Sequence, residues 1–241
     1  MCSVNASIYT VMPNILHIET STEVCSVALS CDGYVQFHRE AFDGPSHASL
    51  LGGFVQDAVT YARLKELPLH AVAVSGGPGS YTGLRIGVSE AKGLCFGLGL
   101  PLIAVSTLEL LCTTAMFRAD AEPDALICPM IDARRMEVYA AVYDERLQPV
   151  VPVGAYVVDE HSFGDVLSRR KVVFCGNGAA KCKSVIQHPN AVFVDDIRPL
   201  ASGMVALAER AFVRGDFCDV AYYEPFYLKE FVATRPKNKI I

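Results

Sequence analysis

The chain has 241 residues, about half of them apolar, enough for one large domain or two small ones around a sizeable core. Its formal net charge of -5 excludes a general electrostatic grip on nucleic acid, so most of the basic surface for any such contact would come from another subunit. The longest uncharged apolar run, Gly93 to Val105, is too short for a bilayer and is broken by Pro101, and the first thirteen residues lack a signal peptide's basic start and apolar stretch, so a soluble, cytoplasmic protein is expected.

Residues 1–13 read as a loose extension, with Met12 just before the first strand, and truncation of residues 1–11 is expected to leave the fold intact. The first strand is Ile15-Leu16-His17-Ile18-Glu19. Two more, near 24–31 and 34–40, meet at Asp32-Gly33, a pair suited to a tight hairpin. A helix is predicted over about 47–64, with Ser46 as its N-cap behind Gly44 and Pro45. Strand 70–75 passes through a glycine-rich loop into a helix over 82–98. Strand 102–105 then enters a helix at Ser106, where Glu109 completes the capping-box spacing.

A second block starts near Asp124. It opens with a hairpin of 125–131 and 136–143 around Asp132-Ala133-Arg134-Arg135. A polar helix at 159–168 follows, then strand 172–175 into Gly176-Asn177-Gly178, a helix, strand 191–194, and a helix from Pro199 to Arg214. From Tyr222 the tail is aromatic, then basic. Strands alternating with helices argue for an α/β fold, and the opening meander makes its sheet mixed. The nine cysteines are scattered, without a Cys-x-x-Cys pair; Cys25, Cys31, Cys128 and Cys175 lie in strand-like runs, which predicts reduced, buried thiols.

The segment richest in signal runs from Ser75 to Arg85, between a strand and a helix. Its glycines permit unusual turns and close approach, and a helix N-terminus favours an anion. The pattern is not a P-loop, because Gly83 is followed by Leu84 and Arg85. Nor is it a dinucleotide fingerprint, because after Gly77 and Gly79 the third glycine falls one residue late. A phosphate site and a tight turn beneath a subunit contact both stay open. In the helix that follows, Gly83, Gly87 and Ala91 recur every four residues, as do Gly93 and Gly97, so each set shares a face. An interior glycine costs about 1 kcal/mol relative to alanine, a cost that the close approach of another helix would offset. The preceding helix carries Leu50, Leu51, Phe54, Val55, Ala58, Val59 and Ala62, a stripe broader than one sheet contact needs. The two helices together point to an intermolecular face, the alternative being that both pack on their own sheet.

Glu19-Thr20-Ser21-Thr22, after the first strand, could hold a metal-bound phosphate but reads first as a turn. His47 opens the first long helix; a helical metal pair needs a second ligand four residues on, and that position is Leu51. His47 is therefore read as a capping or interface residue, His17 as a hydrogen-bonded core residue, and no metal site is expected. No Gly-x-Ser-x-Gly elbow occurs. The tail, Glu224-Pro225-Phe226-Tyr227-Leu228-Lys229 followed by Arg235, Lys237 and Lys239, reads as a solvated end, or else as an arm that touches a partner or RNA phosphate.

In order along the chain, five segments resemble the successive motifs of the TsaB (YeaZ) family over about residues 14–230. They are Ile18 to Ser21, Gly77 to Arg85, Val105 to Leu108, Ile131 to Arg134 with Glu137-Val138-Tyr139, and Glu224 to Leu228. The glycine-rich string ending Thr82-Gly83-Leu84-Arg85 is the most specific. The resemblance implies an α/β, actin-like ATPase (ASKHA) fold with two lobes on mixed sheets, the second reduced: a lobe at 14–118, a smaller one at 119–220 and a tail at 221–241. It implies a non-catalytic subunit paired with TsaD, which transfers threonylcarbamoyl from an adenylate to tRNA. The ATPase TsaE joins them, and tRNA is reached through the complex. The TsaD interface would be His47, Leu50, Leu51, Phe54, Ala58, Gly83, Leu84, Gly87 and Ala91. The adjoining loop, with any nucleotide vicinity, would be Glu19, Thr20, Gly77, Gly79, Ser80, Tyr81, Thr82 and Arg85.

The resemblance implies no cofactor of the chain's own; ATP or ADP at the partner interface stays open, as does a homodimer of the isolated chain. TsaD carries a His-x-x-x-His pair on the corresponding helix, here reduced to His47, and TsaB proteins often have aspartate at the position of Glu19. Two rival readings are an autonomous kinase or ATPase of the same fold, which needs a second phosphate loop and a carboxylate base, and a glycoprotease-like peptidase. The missing metal pair and nucleophile elbow speak against the latter.

Overall fold

The computed structural model describes residues 13–42, 47–118 and 124–229. The extension up to Met12, the Ser46 cap and the tail residues Arg235, Lys237 and Lys239 lie outside them. β1 (Ile15–Glu19) is buried along its whole length, because strands flank it on both edges and apolar clusters cover both faces. β2 (Cys25–Cys31) pairs with it antiparallel, and β3 (Tyr34–Ala41) continues the meander. Asp32 and Gly33 have φ of 50° and 78°, the pair of left-handed residues a tight hairpin requires. β4 (Ala71–Gly77) and β5 (Leu102–Ser106) add in parallel, giving the order β3-β2-β1-β4-β5.

Period-two alternation divides these strands between two cores. Leu16, Ile18, Val72 and Val74 meet Leu51, Val55 and Ala58 of α1 (His47–Leu64) and Val88, Ala91 and Cys95 of α2 (Tyr81–Leu98). Ile15, Ala71, Ala73, Ile103 and Val105 face the other way, toward α3 (Thr107–Arg118). Ser106 Oγ accepts from Glu109 N at 3.4 Å at the start of that helix, as the capping spacing predicts.

The second sheet joins β6 (Leu126–Asp132), β7 (Glu137–Tyr143), β8 (Pro149–Val157), β9 (Val172–Cys175) and β10 (Ala191–Phe193) in the order β10-β9-β6-β7-β8. Short helices α4 (Gly164–Leu167) and α5 (Ala179–Cys182) cover one face around Phe174. α3 covers the other. Leu110 reaches the first sheet while Leu108, Leu111, Cys112 and Ala115 reach the second, so α3 is the wall shared by the two lobes. The burial of each such leucine contributes about 1.5–3 kcal/mol.

Four expectations need correction. β8 had no counterpart in the sequence reading, because Pro149, Pro152 and Gly154 interrupt its pattern; as an edge strand it tolerates them. The polar helix expected at 159–168 shrinks to Gly164–Leu167, since Asp159 folds a turn with His161 and Ser162 instead. The helix expected from Pro199 begins as a 3-10 turn at Ala201–Met204 and becomes α6 (Val205–Arg214). The lobe division expected at 119–220 is crossed as well: Met204, Leu207 and Ala208 pack on the first sheet, not the second.

The eight cysteines among the described residues are free thiols. Burial pushes the Cys175 thiol up to about 12, which removes its nucleophilic form at neutral pH. Among the described residues no helix is long and apolar enough to cross a membrane.

Candidate functional site

The glycine-rich loop closes on the chain's own first strand. Glu19 is fully buried, and its Oε1 accepts from Ser21 N and Ser21 Oγ, both at 2.5 Å, while Ser75 Oγ donates to Oε2. Burial raises this carboxyl from its ordinary 4.5 to about 7, although the Ser21 hydrogen bonds pull the other way. Thr20 Oγ1 donates to Gly83 O at 2.8 Å. Ser80 N donates to Ser21 O at 2.7 Å, and Ser80 Oγ caps α2 by accepting from Gly83 N at 3.3 Å.

The side chains of Glu19, Thr20, Ser21 and Ser80 are committed to one another and to the loop backbone, and Glu19 offers no free carboxylate oxygen to a metal. Between the two readings left open by the loop's spacing, the geometry favours the tight turn. The α2 N-terminus then carries Tyr81, half-buried, with Thr82 and Arg85 exposed beside it.

The expected interface residues divide sharply. His47, Leu51, Ala58, Gly83, Leu84, Gly87 and Ala91 are all buried inside this chain, and only Leu50 and Phe54 keep part of their surface. The Gly83-Gly87-Ala91 row as a partner-facing row is therefore a correction: a Cβ at Gly83 would collide with Thr20 O, and one at Gly87 with Thr20 Oγ1. The small residues admit the β1–β2 connection, not another subunit. His47 donates through Nε2 to Thr22 O at 2.7 Å, so that nitrogen is occupied as well. No three His, Cys, Asp or Glu side chains gather as metal ligands among the described residues.

The other row is free. Gly93 and Gly97 on α2, and Gly52 and Gly53 on α1, are exposed, with nothing within 4 Å of the Cβ each lacks. Phe96, beside them, is 87% exposed. The glycine pair inside the first helix was the signal available in the sequence for the α1 part of this surface.

A C-terminal strap borders α2 on its far side, so the solvated end expected from Glu224 to Lys229 is a correction: its backbone is hydrogen-bonded to the first sheet. Cys218 N donates to Leu102 O at 2.8 Å and Phe226 N to Gly76 O at 2.7 Å. Lys92 Nζ donates to the carbonyls of Ala221 and Tyr223 at 3.1 and 3.0 Å. Gly77 has φ of 107°, a conformation side chains rarely take, and lies against Phe226 O. Tyr227 then stacks on Tyr81 with ring centres 4.8 Å apart. Between the lobes, Asn177 Nδ2 donates to Glu23 Oε2 at 2.7 Å, and Asn177 Oδ1 accepts from Asp132 N at 3.0 Å.

Two mixed five-stranded sheets joined through a shared helix define a two-lobed α/β protein. Residues 44–235 match the family described as TsaD: tRNA N6-adenosine threonylcarbamoyltransferase. The chain is 34% identical over 226 residues to the tRNA threonylcarbamoyladenosine biosynthesis protein TsaB of Escherichia coli strain K12, covering 91% of this chain and 96% of that one. It is 31% identical over 176 residues to the TsaB of Bacillus subtilis strain 168, covering 72% and 75%. YeaZ from Pseudomonas aeruginosa superposes with a TM-score of 0.72 at 28% identity, over 90% of this chain and all of that one. The chain belongs to the TsaB (YeaZ) family.

Proposed function

We propose that this chain is a non-catalytic subunit in the formation of N6-threonylcarbamoyladenosine on tRNA, and that it acts by binding TsaD along the outer side of α1 and α2. The observation that carries the reading is the set of open glycines at 52, 53, 93 and 97. Each costs about 1 kcal/mol relative to alanine. Contacts inside the chain account for Gly83 and Gly87, but none accounts for these four. Close approach of a second pair of helices does, and exposed Phe96 with half-buried Ile86 and Leu94 adds apolar area to the same region.

The non-catalytic part of the reading is supported by Glu19, whose oxygens hold the loop together instead of facing a substrate. TsaE joins the assembly and tRNA is reached through the complex, with ATP or ADP at the joint surface with the partner. In isolation the same surface pairs two copies of the chain.

The test is reconstitution of TsaD and TsaE with unmodified tRNA, leaving this chain in or out, and assay of the modified adenosine. Modification is expected only with the chain present. Equal modification without it refutes the reading, and so does steady ATP hydrolysis by the isolated chain.

A further inference from the structure

The turn between β6 and β7 puts two arginines at the left-handed positions that a tight hairpin requires. Arg134 and Arg135 have φ of 71° and 50°, the left-handed region, which costs a non-glycine residue about 1 kcal/mol or more. The backbone is nevertheless firmly held. Asp132 Oδ1 accepts from Arg134 N at 2.9 Å and from Lys181 Nζ, and Lys181 also donates to Arg135 O and Glu137 O, each at 2.7 Å. The charges of Asp132 and Lys181 are thus spent on each other and on the turn. Both arginines remain exposed, and neither guanidinium has a hydrogen bond or ion pair among the described residues.

The strap brings further cationic and aromatic groups to the same place. Lys229 Nζ meets Glu137 Oε2 at 2.5 Å, two residues past the turn. Lys229, Glu137 and Arg134 all lie close enough to act on the Tyr139 hydroxyl. Just before Lys229, Tyr227 stacks on Tyr81, and the Arg85 guanidinium sits over the Tyr81 ring at 5.5 Å. Lys229 is paired with Glu137, so Arg85, Arg134 and Arg135 are the cations of this strip that have no ion pair among the described residues, and they lie beside the half-buried rings of Tyr81 and Tyr227.

We infer that this strip, from Arg85 through Tyr227 and Lys229 to Arg134 and Arg135, holds the phosphate backbone of single-stranded RNA, such as an unpaired loop of the tRNA substrate. The inference rests on the proposed function and deepens it. Guanidinium groups meet phosphate oxygens through paired N–H donors. The Tyr227 ring, stacked on Tyr81 through one face, offers its other face as a platform for an unpaired base, and guanidinium groups beside an aromatic platform are the combination single-strand binders use. An acidic protein segment would use the arginines but has no need of the rings.

The test uses the full-length chain with Arg134→Gly and Arg135→Gly. Glycine suits the positive φ, so this variant should melt at the wild-type temperature or above it. Fluorescent unmodified tRNA is titrated with the TsaD pair, and with the chain alone, at several salt concentrations. Affinity should fall at least tenfold at low salt, and the slope of log K against log salt should shrink by roughly 1.4, for two single-strand phosphate contacts at about 0.7 each. A charge-matched variant, Arg146→Ala with Arg214→Ala, outside the strip, should leave both quantities unchanged.

Unchanged affinity and slope in the glycine variant, or an equal loss in the control, overturns the inference. So does loss of TsaD pairing with RNA binding kept, which would make the arginines a protein contact. Failure of the wild-type chain to pair with TsaD counts against the proposed function instead, and the strip is then judged on the chain alone.

Discussion

Replacing Glu19 with glutamine should make the protein more stable than the wild type above neutral pH and bring the two much closer together at about pH 5. Glu19 is fully buried, and burial raises its carboxyl from 4.5 to about 7. The folded state therefore holds this proton more tightly than the unfolded chain does. The resulting stability is whole below about pH 4.5 and is lost as the pH rises to about 7. At about 1.36 kcal/mol per pH unit the full effect is about 3 kcal/mol, most of it falling between about pH 5 and pH 8. Glutamine keeps an oxygen for the two Ser21 donors and gives Ser75 Oγ an N–H to accept from, with no charge to desolvate. His17 works in the opposite sense: burial holds it at about 3, so stability falls as pH drops below its ordinary 6.5. Between about 4.5 and 6.5 the two residues offset each other, and a wild-type pH profile alone would conceal both. The assay is the difference in urea-unfolding free energy between Glu19→Gln and wild type at the two pH values. That difference should move by about 2–3 kcal/mol in favour of glutamine on going from about pH 5 to pH 8. A difference that is the same at both pH values refutes the assignment of a buried, high-pKa carboxyl.

Three further outcomes follow from the packing. Gly87→Leu should destabilise the chain itself by about 1–3 kcal/mol or more, because its side chain must displace Thr20; an unchanged melting temperature would contradict the inward-facing row. Leu111→Ala, at 1% exposure in the wall between the lobes, should cost about 2–5 kcal/mol in urea unfolding, and a loss under about 1 kcal/mol would remove α3 from that role. Lys92→Ala removes the two hydrogen bonds to the strap carbonyls and should speed proteolytic cleavage between Ala221 and Lys229, whereas an unchanged cleavage rate would show the strap held by other contacts.

The first lobe was legible because its signals are local. Alternating apolar residues, an Asp32-Gly33 turn and capping spacing at Ser106 each act within a few residues, and the strands and helices fall where they point. β8 was not legible, because Pro149 and Pro152 argue against a strand unless one knows that it lies on an edge. The glycine rows show a deeper limit. Period four says that Gly83 and Gly87 share a face, and likewise Gly93 and Gly97, but not what each face meets. Thr20 fills the space beside the first pair, and only the folded chain shows that the second pair stands open. Contacts such as Asn177 to Glu23 and Lys229 to Glu137 join residues too distant in sequence to leave any local pattern.

The central claim is that the open glycine surface of α1 and α2 receives TsaD. Arginine at 93 and 97 meets no atom of the chain within 4 Å of its Cβ and favours a helix over glycine, so Gly93→Arg with Gly97→Arg should keep the wild-type melting temperature or exceed it. Titration calorimetry against TsaD should then show association weakened by at least a hundredfold. Wild-type affinity in this doubly substituted, fully folded chain would place the partner elsewhere and contradict the account.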